Sequence, residues 1–316
     1  MEIRNFKKGN EIQIIKLFDK VFGRPMKKDF WKWRFEDNPA GKHMIKLMWD
    51  ENKLIGHYAV SPAKMMIEGK EYLSTLSMTT MTDPDYGGRG IFGKLANSLY
   101  EELENELGVK AIWGFPNNNS HYGFIKNLEW KDLGLISHIG LPLSNIMPQL
   151  NNDIRQFEVF KPKHEDIISK ITSNFPVYAK RDIDYLTWRY NEKPNTKYYK
   201  FEYVGKDVDS FIIIKKYSSN DNGIYDLFIT ELGIDFSDLS LLPIFISHLL
   251  AFFGQKEAVL YTWLSVFDKR YIYLERAGFY PTGKSTYLGV RANNENYKVL
   301  TDFRNWYYSY GDSDIY

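Results

Sequence analysis

Between Glu11 and Phe22, apolar residues recur at Ile14, Leu17, Phe18 and Val21, with Asp19 and Lys20 between them. This is the spacing of one helix face, and it predicts an amphipathic helix. After a loop with Gly23 and Pro25, Asp29 to Asp37 reads as a second short helix, ended by Asn38-Pro39. Ile45–Trp49 and Lys53–Val60 read as two strands around an Asp50-Glu51-Asn52 turn. Lys64–Ile67 reads as a third strand and Leu73–Thr82 as a fourth. Ile91, Leu95, Leu99 and Leu103 then line one face of a longer helix. Val109–Phe115 predicts a buried strand, His121–Leu128 a helix and Leu133–Leu141 a last strand.

The pattern then repeats. Trp188-Arg189-Tyr190 followed by Pro194 echoes Trp33-Arg34-Phe35 followed by Pro39, at an offset of 155 residues. Phe211–Ile214 and Tyr225–Thr230 read as strands, and Leu241–Phe253 as a helix with Pro243 in its first turn. Val259–Leu264 matches Val109–Phe115, and Leu274–Phe279 matches Ile125–Trp130. Two similar domains are therefore expected, residues 1–142 and 164–316. A linker over 143–163 carries Pro148, Pro162 and the polar run Asn151-Asn152-Asp153. The Trp-Arg pair occurs in both halves, which favours a packing role.

The halves differ between the fourth strand and the helix that follows it. In the first, Asp83-Pro84-Asp85-Tyr86-Gly87-Gly88-Arg89-Gly90-Ile91-Phe92-Gly93 places four glycines in seven residues at a helix N-terminus. Amides there lack partners inside the helix, and the helix dipole favours negative charge. Glycines let the backbone approach a ligand closely. The stretch reads as a pyrophosphate cradle. Its letters fit G-x-G-x-x-G, but no dinucleotide-binding βαβ unit surrounds it, and the Gly-Lys-Ser/Thr of a P-loop is missing. The second half has Glu231-Leu232-Gly233-Ile234-Asp235-Phe236-Ser237-Asp238 instead, one glycine with three carboxylates that would repel a pyrophosphate.

The string from Asp83 to Ile91 resembles the central motif of the GNAT acyltransferases, with Gly87 and Phe92 departing from the usual residues. The resemblance implies an α/β (α+β) fold of two tandem GNAT-like domains, the second degenerate. Each would have a mixed, largely antiparallel, splayed sheet flanked by helices. It implies acetyl-CoA as co-substrate, held by Gly87, Gly88, Arg89, Gly90, Ile91, Phe92 and Gly93, with Asn118, Asn119 and Ser120 as further contacts. It also implies that a backbone N–H at Met81 or Thr82 polarises the thioester carbonyl. The family's frequent tyrosine acid would fall at Ile125. Tyr122, one turn earlier, is the candidate substitute, with ordinary packing as the other reading.

Composition narrows the chemistry. The 316 residues are 44% hydrophobic and 16% aromatic, enough for a substantial core. Forty-one basic and 40 acidic residues leave a net charge of +1, which gives no electrostatic case for nucleic acid or membrane binding. Cysteine is absent, so disulfides, Cys-ligated metal and a thiol nucleophile are excluded, and no metal is expected. With no apolar run of membrane length and no leader pattern, a cytoplasmic monomer or homodimer is expected.

The expected activity is transfer of an acetyl group to the primary amine of a small acceptor: an amino sugar, a polyamine-like compound or an amino acid. The alternatives are a non-catalytic acyl-CoA-binding protein and an aminoacyl or peptidyl transferase of the same fold. The fourth strand has no carboxylate to serve as base. His57, with an ordinary pKa near neutrality, and His121 are candidates. So are Asp312 and Asp314 of the aromatic tail, which either docks on the second domain or returns to the first domain's site.

Overall fold

The computed structural model describes residues 1–205, 208–217, 225–292 and 298–316. The chain divides into two compact units. The first is Met1–Gly134 with Glu192–Asn195 and Tyr287–Asp302, and the second is Leu135–Asn191 with Thr196–Thr286 and Phe303–Tyr316.

The chain begins with β1 (Glu2–Asn5), α1 (Glu11–Phe22), α2 (Lys28–Phe35), β2 (Met44–Asp50), β3 (Lys53–Ile67) and β4 (Lys70–Thr82). Then come α3 (Ile91–Asn105), β5 (Ala111–Gly114), α4 (Asn118–Asn127) and β6 (Lys131–Pro142). The two strands expected between Lys53 and Ile67 are one continuous strand, because Pro62 interrupts the apolar pattern without breaking the ladder to β4. α4 starts three residues earlier than expected. Asn117 caps it, its side chain accepting from the N–H groups of Asn119 and Ser120.

The chain continues through β7 (Ile154–Gln156), α5 (Pro162–Thr172), β8 (Val177–Ala179), α6 (Ile183–Tyr190) and β9 (Tyr198–Val204). It ends with β10 (Val208–Tyr217), β11 (Asp226–Gly233), α7 (Leu241–Phe253), β12 (Val259–Thr262), α8 (Tyr271–Arg276) and β13 (Tyr280–Ala292). The stretch expected to be a linker holds β7, which pairs β9, and the first two residues of α5, Pro162 and Lys163. The repeat is visible in three dimensions: α2 and α6 have equal length at an offset of 155 residues. In both halves the strand before the long helix runs parallel to the strand after it, β4 to β5 and β11 to β12.

In the first unit the strand order is β1-β2-β3-β4-β5-β13, and in the second β6-β12-β11-β10-β9-β7. β6 follows the first unit's last helix, yet its C-terminal half pairs β12. β13 follows the second unit's last helix, yet its C-terminal half pairs β5. Each sheet is thus completed by a strand from the opposite half of the sequence.

The first unit's core forms where Ile91, Leu95, Ala96, Leu99 and Leu103 of α3 meet Tyr58, Val60, Ile112, Phe124 and Trp130. Burying each large apolar side chain stabilises by about 1.5–3 kcal/mol. Gly56 permits this approach: a Cβ there would lie 2.5 Å from Ile91 Cγ2. In the second unit α7 buries Leu242, Phe245, Ile246, Leu249 and Leu250 against β10 and β11. Gly233 there is a packing glycine, since a Cβ would fall 2.3 Å from the Phe211 ring that covers it.

Candidate active site

β4 and β5 are in register only at Thr75–Ile112 and Leu76–Trp113. Beyond these pairs lies the stretch of β4 that leads to the glycine loop. The pairing with β3 jumps from Ala59–Met78 to His57–Met81, so Tyr58 alone faces Thr79 and Thr80. This is a β-bulge, and Thr79 adopts φ +50°. The sequence expectation puts the polarising amide at Met81 or Thr82. These residues pair with His57 and Gly56, and the ladder is interrupted just before them.

The loop is held from below by Asp83. Its carboxylate is almost fully buried and takes Lys20 Nζ at 2.6 Å, Lys53 Nζ at 3.0 Å and the Asp85 N–H at 3.0 Å. Burial alone would raise its pKa, but these donors outweigh it and hold the carboxyl at about 2. Tyr86 donates its hydroxyl proton to Asp50 at 2.9 Å, and Arg89 lies over the Tyr86 ring at 4.9 Å.

From this base the chain runs through Gly88 (φ +73°) and Gly90 (φ +68°) into α3. Both need the left-handed region that glycine adopts without strain. The first helical bond runs from the Lys94 N–H to the Gly90 carbonyl. Among the described residues, the N–H groups of Gly88, Arg89, Gly90, Ile91, Phe92 and Gly93 find no acceptor. No side chain caps α3, and its first turn has no acidic residue. An added Cβ at Gly88, Gly90 or Gly93 would meet nothing within 4 Å. Six amides without partners at a helix N-terminus suit a phosphate or pyrophosphate. A cavity of about 530 Å³ walled by Lys16, Lys20, Lys53 and Asp83 includes none of these glycines, so it is a separate feature.

Phe92 turns away from the loop and packs on Tyr58 and Phe124. Asn118 and Asn119 are exposed at the start of α4, and Ser120 Oγ lies 3.2 Å from Asn117 Oδ1, so the capping role belongs to Asn117. Tyr122 is 69% exposed. Ile125, where the family's tyrosine would fall, packs on the core.

His57 is fully buried, and its Nδ1 lies 2.7 Å from the carbonyl of Thr79 at the bulge. A carbonyl only accepts, so Nδ1 carries the proton and Nε2 is a lone pair, without a partner among the described residues. Burial pushes its pKa down to about 4, and it is neutral at physiological pH. His121 stacks on Tyr287 at 3.7 Å and bonds Asp132 at 2.9 Å.

The tail residues belong to the second unit. Asp312 is buried, 2.6 Å from Arg181, and accepts the Ser309 N–H at 2.9 Å. Arg181 also bonds Glu231, which takes the Tyr307 hydroxyl at 2.9 Å. Burial raises the Asp312 pKa, Arg181 opposes the shift and Glu231 adds to it. The Gly311 carbonyl accepts from Arg189 Nε at 2.8 Å, while Asp314 is exposed. These bonds dock the tail on the second unit. Of the three carboxylates in the Glu231–Asp238 stretch, Glu231, inside β11, pairs with Arg181, and Asp235 pairs with Lys170 at 2.5 Å.

One polar network of the first unit is invisible to sequence patterning. Trp130 Nε1 donates to Tyr100 Oη at 3.0 Å, Tyr100 meets Tyr58 at 2.9 Å, and Tyr58 meets Ser77 Oγ at 2.8 Å. Burial pushes the Tyr58 hydroxyl up to about 12 and Tyr100 well above its ordinary value, so both keep their protons.

Residues 2–132 match the sequence model of the acetyltransferase (GNAT) domain. No curated protein sequence matches the chain significantly. Among solved structures it resembles a GCN5-related N-acetyltransferase from Anabaena variabilis, at 14% identity and TM-score 0.71, covering 93% of this chain and 73% of that one. A conserved protein of Enterococcus faecalis described as a probable N-acyltransferase gives 12%, 0.67, 92% and 72%. Saccharomyces cerevisiae N-myristoyltransferase with bound myristoyl-CoA gives 9%, 0.63, 92% and 78%. At these identities the likeness establishes the fold. Residues 2–132 therefore carry the match to the acetyltransferase (GNAT) domain, and the glycine loop after β4 lies within them.

Proposed function

We propose that the protein is an acyl-CoA-dependent N-acyltransferase, with acetyl-CoA as donor and a small primary amine as acceptor. The observation that carries this reading is the set of six unpartnered amides from Gly88 to Gly93 at the uncapped start of α3. They would hold the CoA pyrophosphate, with Asn118 and Asn119 on the approach. When bound, acyl-CoA supplies the acyl group as an activated thioester. The bulge at Thr79–Thr80, running into Met81 and Thr82, offers backbone donors to the thioester carbonyl. His57 fixes the bulge through Thr79. Among the described residues the second unit has no comparable cradle, and we assign it one supporting role, completion of the fold.

Calorimetry with acetyl-CoA and longer acyl-CoAs, followed by thiol release with a panel of amines, tests the proposal. One site per chain and amine-dependent thiol release are expected. Binding without turnover across the panel would leave an acyl-CoA-binding protein, and two sites per chain would overturn the assignment of the second unit.

A further inference from the structure

The Trp130–Tyr100–Tyr58–Ser77 chain has a direction set by its buried end. An indole N–H only donates, so the Tyr100 oxygen accepts from Trp130. Trp130, Tyr100 and Tyr58 are all buried. Were Tyr58 to donate to Tyr100, the Tyr100 proton would have no acceptor among the described residues and would be stranded in the core. Tyr100 therefore donates to Tyr58, and Tyr58 donates to Ser77 Oγ. Ser77 is left with a hydroxyl proton and no acceptor for it among the described residues.

Ser77 is half-buried, and it is the first residue of β4 beyond the last pair shared with β5. Gly114 faces it without a side chain; a Cβ there would lie 3.3 Å from the Ser77 carbonyl and 3.6 Å from its Cβ. Trp130 lies over Gly114 and over its register partner Gly289, whose absent Cβ would be 3.0 Å from the indole. The two glycines leave room for the indole against the strands, with its N–H bonded to Tyr100.

We infer that Ser77 is the hydrogen-bond donor to the CoA sulfur, aligned by this chain and standing in for the tyrosine that Ile125 replaces. The inference rests on the acyl-CoA reading above. Acyl transfer forms a C–N bond and breaks the C–S bond, leaving the electron pair on sulfur. The proton lost by the amine ends on that sulfur. Ser77 keeps its own proton, since an alkyl hydroxyl is a far weaker acid than a thiol, and stabilises the developing thiolate by donation.

The test needs no acceptor. Free CoA is bound to the protein, its affinity is measured by calorimetry, and the pKa of its bound thiol is read from the ultraviolet absorbance of the thiolate. A hydrogen bond of ordinary strength to a charged group lowers that pKa by about one to two units. The parent should show this depression, and Ser77→Ala should lose it with CoA affinity nearly unchanged. Tyr58→Phe leaves the Ser77 proton free to point outward and should retain most of the depression. Trp130→Phe lets the chain reverse and should retain less than Tyr58→Phe, with CoA affinity reporting that the fold is intact. Failure of the parent to bind CoA sinks the acyl-CoA reading itself. CoA binding with a thiol pKa that Ser77→Ala does not move overturns this inference alone, and equal retention in Tyr58→Phe and Trp130→Phe overturns its directionality.

Discussion

Gly93 offers a substitution that separates folding from binding. It is the third residue of α3, its φ is not in the left-handed region, and a Cβ there meets no atom within 4 Å. Gly93→Asp should therefore fold. An acidic residue in the first turn, replacing a helical glycine, stabilises by about 0.3–1 kcal/mol. The same carboxylate would compete for the amides of Phe92 and Gly93 and repel a phosphate. Two unit charges 4 Å apart cost about 1 kcal/mol in water and about 4 kcal/mol near a protein surface. Acyl-CoA affinity should drop roughly five- to a thousandfold. Gly93→Asn, of equal size and uncharged, separates crowding from repulsion and should lose much less. Calorimetry and melting curves on the three proteins decide. A Gly93→Asp protein that melts at or above the parent temperature and binds acyl-CoA equally well would refute the placement of the phosphates on this loop.

Trp33→Ala and Trp188→Ala should each cost about 3–5 kcal/mol in denaturant unfolding, because both indoles are buried; a parent-like stability with lost acylation would make the Trp-Arg pair functional. Asp312→Ala removes one partner of buried Arg181 and should cost about 3 kcal/mol, as should truncation before Gly311, rather than leaving the melting temperature unchanged. His57 has a folded pKa of about 4, below its unfolded value, so its contribution to stability is complete above about pH 6.5 and is lost as pH falls from there through 4. His57→Asn, which can still donate to Thr79, should flatten that slope in pH-dependent unfolding; an unchanged slope would place the acid sensitivity elsewhere.

Much of this architecture is written in local periodicity. α7 spans Leu241–Phe253 as its apolar run predicts, with Pro243 in the first turn. The loop is legible because glycine density before a helical stripe has few other physical meanings. Legibility falls where the deciding contact lies far along the chain. Three residues with two polar side chains, Ile154-Arg155-Gln156, carry no strand period; they form β7 because β9 is there to pair. Consecutive asparagines from 117 to 119 are equivalent as letters, and only backbone geometry selects Asn117 as the cap. The aromatic tail is ordered as its composition suggests, but Arg181 lies too far back in sequence to reveal that Asp312 is already paired. The Ser77 chain escapes for the same reason, since its four members come from β4, β3, α3 and the residue before β6.

The exchange of β6 and β13 bears on how the chain is made. Residues through Gly134 leave the ribosome first, but β5 has no second neighbour until Gly289–Ala292 emerge. At ordinary translation speeds that delay is roughly ten to thirty-five seconds. Through that interval the nascent first unit exposes an unpaired, wholly apolar edge with backbone donors and acceptors ready for any passing strand. The first half cannot finish folding until β13 is made, whereas β6 is already present when β12 emerges, and the long-range pairing that ends the wait slows that final step further. Expression of residues 1–142 alone would make the exposed edge permanent.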